Sequence, residues 1–132
     1  MLKAAVKTFV PDDRKSIGAS DKTLLIIEDD PGFAETLVKI GRKHGYKCVA
    51  AGDGKSGLLL ATEQPVTAVL LDLRLPDIDG LVVLDQLKRD LRTRHVPVHV
   101  ISGREDADAL MPMRKGAIEP LAESAYVAPG RW

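Results

Sequence analysis

From Lys22 onward the chain alternates between short apolar runs and longer stretches in which apolar residues recur every three or four positions. TLLII (23–27) is continuously apolar rather than alternating, which predicts a strand buried on both faces. PGFAETLVKIGRKHG follows, with Phe33, Leu37 and Ile40 at helical spacing, Pro31 suited to a first turn and Gly45 as its end. YKCVAA (46–51) reads as a second, partly exposed strand. DGKSGLLLATEQ (53–64) reads as a helix that opens on Asp53 and stops before Pro65. VTAVLLD (66–72) is a third strand, and GLVVLDQLKRDL (80–91) a helix with Leu81, Leu84, Leu87 and Leu91 along one stripe. VPVHVIS (96–102) is a fourth strand. REDADALMPMRKG and AIEPLA, with the weakest patterns in the chain, stand for a fourth helix and a fifth strand.

Strands alternating with helices of this length imply βαβ units and a parallel sheet covered on both faces. Crossovers are then right-handed, and a ligand site belongs at the C-terminal edge of the strands, where the winding direction reverses. Residues 1–21 carry no periodicity and read as a linker or N-terminal extension, 22–125 as the domain, and 126–132 as an irregular tail.

Composition narrows this picture. At 132 residues the chain fits one domain with a substantial core. Nineteen basic and nineteen acidic residues cancel, so no electrostatic argument favours nucleic acid or an anionic membrane. One cysteine, Cys48, excludes an internal disulfide and reads as a small buried strand residue. No apolar run approaches the ~20 residues that span a bilayer, and MLKAAVKTFV is too short and interrupted for a signal peptide, so a cytoplasmic protein without membrane contact is expected.

The chemistry lies where the strands end. Glu28, Asp29 and Asp30 follow the first strand and Asp72 ends the third. In a sheet of order 2-1-3-4-5 those two strands are neighbours, so Asp29, Asp72 and Glu28 converge into a carboxylate cluster. Like charges so placed take up a proton or a cation, and hard oxygen ligands without histidine or thiol favour Mg²⁺. Asp30, just before Pro31, is better read as a helix cap. Ser102, at the exit of the fourth strand beside Gly103, adds a hydroxyl at the same edge. DIDG (77–80) is faintly like part of a calcium loop, but the other ligands are missing and a turn with a helix cap fits it better. His44, His95 and His99 are not grouped as ligands and read as structural, and Trp132 carries no assigned role.

Taken together, LLIIEDDPGFAETL, AVLLDLRLPDIDGLVVLDQL, VPVHVISG and the GA at 116–117 resemble the receiver domain of two-component response regulators. The intervals between Asp29, Asp72 and Ser102, with Pro76 and Gly80, fit that family's pattern. The resemblance implies a flavodoxin-like (βα)5 doubly wound α/β sandwich around a central parallel sheet of order 2-1-3-4-5. It implies that Asp72 accepts a phosphoryl group from a phosphohistidine on a histidine kinase or phosphotransfer protein. Asp29, Asp72 and the backbone carbonyl of Arg74 would ligate Mg²⁺, Glu28 would support it through water, and Ser102 would bond the phosphoryl group. The Arg74 side chain would influence the rate of its loss to water. Such a chain is a phosphoacceptor signalling domain rather than an enzyme acting on other molecules, and the lead before it suggests a piece of a hybrid sensor histidine kinase.

The likeness weakens toward the end. Aligned on Gly116-Ala117, the family's switch aromatic falls on Pro120 and its lysine on Glu123; a shifted register offers Glu119 instead. Lys115 precedes the GA pair, on the wrong side of the strand to substitute. The chain stops too soon after Glu123 for a full fifth helix, so the last strand and helix are atypical or truncated. Apolar surface on the first and fifth strands is then expected to lie open and to call for a partner or a homodimer. These departures support an alternative, a degenerate receiver acting as a phosphorylation-independent scaffold. A haloacid dehalogenase-type phosphatase is disfavoured, because Arg74 stands where that family needs a second acid.

Overall fold

The computed structural model describes residues 9–101 and the backbone of 126–127. Strand β1 (Lys22–Ile27) leads into helix α1 (Pro31–Lys43), then β2 (Tyr46–Ala51), α2 (Gly54–Glu63), β3 (Ala68–Asp72), α3 (Gly80–Arg89), β4 (Val98–Ile101) and β5 (Tyr126–Val127). The five strands lie in the order β2-β1-β3-β4-β5. The first four are parallel, and β5 pairs antiparallel with β4 through Val100↔Tyr126 and His99↔Val127. The final sheet member is therefore a two-residue strand in the segment read from sequence as an irregular tail. REDADALMPMRKG and AIEPLA lie outside the described residues.

The continuous apolar run of β1 has a direct structural reason. Leu24 and Ile26 face one cluster with Phe33, Leu37 and Val38 of α1, while Leu25 and Ile27 face another with Leu60, Val83 and Leu87 of α2 and α3. Both sheet faces are covered, so neither can alternate with polar residues. The face of β1 expected to lie open is closed: Leu24 is 2% and Ile26 0% exposed, with α1 and Val10 packed over them. An open β1 face therefore gives no ground for a homodimer.

Helix ends follow their caps. Asp30 accepts from Phe33 N at 2.8 Å and caps α1, which ends at Lys43 before Gly45 turns the chain at φ 88°. Asp53 caps α2 through Ser56 N at 2.7 Å, and Asp79 caps α3 through Leu81 N at 2.8 Å. The stripe predicted along α3 is corrected. Its buried face is Gly80, Val83, Leu84 and Leu87, whereas Leu81 is 55% exposed and Leu91 74% exposed. The steps of three from Leu81 to Leu84 to Leu87 drift around a 3.6-residue turn, and Leu91 lies past the helix end.

Residues 9–21, read from sequence as linker or extension, are tied to the outer edge of β2. Asp13 N donates to Cys48 O at 2.8 Å, and the Asp13 carboxylate accepts from Cys48 N at 2.9 Å. Asp12 accepts from Ala50 N at 2.9 Å, and Arg14 donates to Ala50 O at 3.0 Å. Main-chain and side-chain groups here do the work of a neighbouring strand, so Cys48 to Ala51 of β2 are buried while Tyr46 and Lys47 remain partly exposed, as expected of this strand. Among the described residues, no helix is long and apolar enough to cross a membrane.

Candidate functional site

The register of the sheet decides which polar groups meet. Ile27 lies beside Leu71 and Asp72 beside Ile101, so β1, β3 and β4 end at the same edge. Glu28 N continues the ladder by donating to Ala51 O at 3.0 Å, and Leu73 N donates to Ile101 O at 3.2 Å. Beyond those bonds the chain turns away, leaving Glu28, Asp29 and Asp72 facing one another. One carboxylate oxygen from each lies within 4.8 Å of the others.

Burial makes this cluster costly. Glu28 and Asp72 are each only 3% exposed, while Asp29 stands open to solvent. Glu28 Oε2 accepts from Asp30 N at 3.0 Å, but Oε1 is buried with no hydrogen-bond partner. Desolvation pushes the Glu28 carboxyl up to about 7; the Asp30 N–H opposes this, and the charges of Asp72 and Asp29 reinforce it. Burial likewise raises the Asp72 carboxyl, with the Arg74 N–H working against it and Asp29 adding to it. Arg74 N donates to Asp72 Oδ1 at 3.1 Å. Cations relieve such a site, and the donor set fits a hard one: oxygen ligands only, crowded, with a buried Glu28 carboxylate oxygen that has no hydrogen-bond partner.

The acids named at the ends of β1 and β3 thus each have a place. Glu28, Asp29 and Asp72 converge, and Asp30 caps α1. Ser102 lies outside the described residues, as do Lys115, Glu119, Pro120 and Glu123. His44 Nδ1 lies 2.9 Å from Ile40 O at the end of α1, and His99 sits within β4. One residue of the loop after β3 reads from the sequence only as part of a turn. Asp77, in the loop between β3 and α3, accepts from Gly54 N at 2.8 Å and Lys55 N at 2.9 Å, at the start of α2. Sequence spacing holds no signal for that long-range pairing.

Residues 24–122 match the response regulator receiver domain family. The chain belongs to that family. It is 33% identical over 121 residues to the transcriptional activator protein PfeR of Pseudomonas aeruginosa, a match covering 91% of this chain and 39% of that protein. It is 29% identical to protein PilH of the same organism, covering 76% of this chain and 84% of PilH. Among solved structures it resembles a sensor protein from Polaromonas sp., with 31% identity, a TM-score of 0.61, and coverage of 76% and 78% of the two chains. It also resembles the receiver domain of a sensor histidine kinase from Pseudomonas aeruginosa, solved with a magnesium ion coordinated in its active site cleft. That match has 26% identity and a TM-score of 0.60, and covers 76% and 79% of the two chains. The receiver is a signalling domain of two-component systems, and in this chain the acidic cluster stands at the shared end of β1 and β3.

Proposed function

We propose that this receiver takes a phosphoryl group from the phosphohistidine of a histidine kinase or phosphotransfer protein onto Asp72. The observation that carries the reading is the convergence of Asp72 with Glu28 and Asp29 at the shared end of β1 and β3. An Asp72 oxygen attacks phosphorus, the P–N bond to the donor imidazole breaks, and the histidine leaves with the electron pair. Water later cleaves the aspartyl phosphate, returning Asp72 and inorganic phosphate.

Asp29, Asp72 and the Arg74 carbonyl are the residues that would hold Mg²⁺, with Glu28 supporting it; when bound, the ion offsets negative charge on the transferring phosphoryl group. The protein's own contribution is positioning. The Arg74 N–H fixes one oxygen of Asp72 and leaves the other for attack. Burial keeps competing water from the nucleophile. The exposed Arg74 lies two residues past the acceptor, placed to affect hydrolysis. Ser102, following Ile101 of β4, would bond the phosphoryl oxygens and read the modified state. The chain's likeness to the receiver domain of a sensor histidine kinase supports an origin within a hybrid histidine kinase, for which a cytoplasmic location is the expected setting.

The test is intact mass after incubation with acetyl phosphate and Mg²⁺, comparing wild type with Asp72→Asn. One phosphoryl group on wild type alone supports the reading. An unmodified wild type that still binds Mg²⁺ overturns it in favour of a scaffold.

A further inference from the structure

The loop between β3 and α3 carries Arg74 and runs from Leu73 to Asp79 without regular structure. Its two ends are tied at the site: Leu73 N donates to Ile101 O, and Gly80 N donates to Leu73 O at 3.0 Å. Its middle is held elsewhere. Asp77 Oδ1 accepts from Gly54 N, and Oδ2 from Lys55 N, the first two N–H groups of α2. Asp53 takes the third, at Ser56, from within the helix's own chain. Two aspartates thus cap one helix, one from its own entry and one from across the molecule. Ile78 packs beside this contact so tightly that a Cβ on Gly54 would lie 2.5 Å from its Cγ1. The pairing is charge-assisted, and the carboxyl of Asp77 stands below the usual range: its slight burial, which works the other way, is outweighed by the N–H groups of Gly54, Lys55 and Ile78.

We propose that Asp77 is a positioning residue for the metal and phosphoryl site. By pinning the middle of the loop to the start of α2, it holds the Arg74 backbone against Asp72. The inference rests on the functional reading above, because it assigns the Arg74 carbonyl to the metal. Asp77 is exposed, so its replacement removes the pin without opening the core.

The experiment compares the full chain with Asp77→Ala, Asp77→Asn and, as control, Asp53→Ala, which weakens the same helix start without touching the loop. Mg²⁺ alone is titrated calorimetrically, and amide hydrogen exchange is followed at Gly54, Lys55, Arg74 and Gly80. The latch predicts that Asp77→Ala weakens Mg²⁺ binding about tenfold and speeds exchange at Arg74 and Gly80, whose N–H groups do not bond Asp77. Asp77→Asn, which keeps one carbonyl acceptor, recovers part of the affinity. Asp53→Ala lowers the melting temperature with wild-type affinity. The proposal is overturned if Asp77→Ala lowers the melting temperature but leaves both Mg²⁺ affinity and Arg74 exchange at wild-type values, or if Asp53→Ala weakens Mg²⁺ binding equally. A wild type that binds no Mg²⁺ sinks the functional reading, and the Arg74 exchange rate still decides whether the loop is latched.

Discussion

Asp72 and Glu28 are buried carboxyls brought within a few ångströms of another acid, an arrangement that costs folding free energy and persists where it serves a site. Asp72→Asn is expected to abolish phosphoryl uptake and, because burial and the Asp29 charge already disfavour the ionised Asp72 carboxyl, to raise the melting temperature of the metal-free protein. The pH dependence has a definite sign. The folded-state carboxyl of Glu28 is raised to about 7 from an ordinary 4.5, so the stability it contributes is present below 4.5 and lost as pH rises through 7. Metal-free melting temperatures should accordingly fall between pH 5 and 8 by the contribution of this group, and Glu28→Gln should flatten that part of the profile. Cys48 provides a contrast. It is 0% exposed, and burial pushes its thiol up to about 12, with the Asp13 charge adding to the shift. It should resist iodoacetamide at pH 8 in the native state and react fully in denaturant, as mass spectrometry will show.

At the scale of elements, one contact frames the site and another secures the edge of the sheet. Gly80 begins α3 where a Cβ would collide with Leu73 Cα and lie 2.8 Å from the Asp72 carbonyl oxygen. Gly80→Ala must push α3 away from the end of β3, and is expected to cost about 3 kcal/mol in chemical denaturation and to lower the phosphorylation rate. The second contact is the N-terminal segment on β2. Asp13→Ala leaves the Cys48 N–H and the Arg42 guanidinium without their acceptor, for an expected loss of about 2 kcal/mol. Burial raises the Asp13 carboxyl, but its bonds to Arg42 and Cys48 and the charges of Arg42 and Lys47 more than offset this and hold it below 3.8. The stability it adds is therefore present above pH 3.8 and lost as pH falls through its lowered folded value, a loss that Asp13→Ala should not show.

For the whole molecule, much was legible because local pattern and global arrangement agree. The uninterrupted apolar residues of β1 and β3 could be satisfied only by a sheet covered on both faces, and Asp30, Asp53 and Asp79 stop and start helices by chemistry confined to a few residues. The meeting of Asp29 with Asp72 was likewise readable, because parallel order alone places the ends of β1 and β3 together. Other features were not legible, since they depend on distances no periodicity encodes. Leu81 and Leu91 carry the residue type of a core but lie off the face that α3 turns inward. Residues 9–21 have the composition of a linker, yet their aspartates find the unpaired N–H groups of β2. Asp77 reads as a turn residue until α2 is set beside it. By itself, the sequence determined the first four strands, the first three helices and the acids at their ends, because helical and strand periods and cap chemistry act over a few neighbouring positions. Only the tertiary structure decided which side chains reach the edge of β2 and the start of α2. Those pairings join residues more than twenty positions apart, and they are settled by packing.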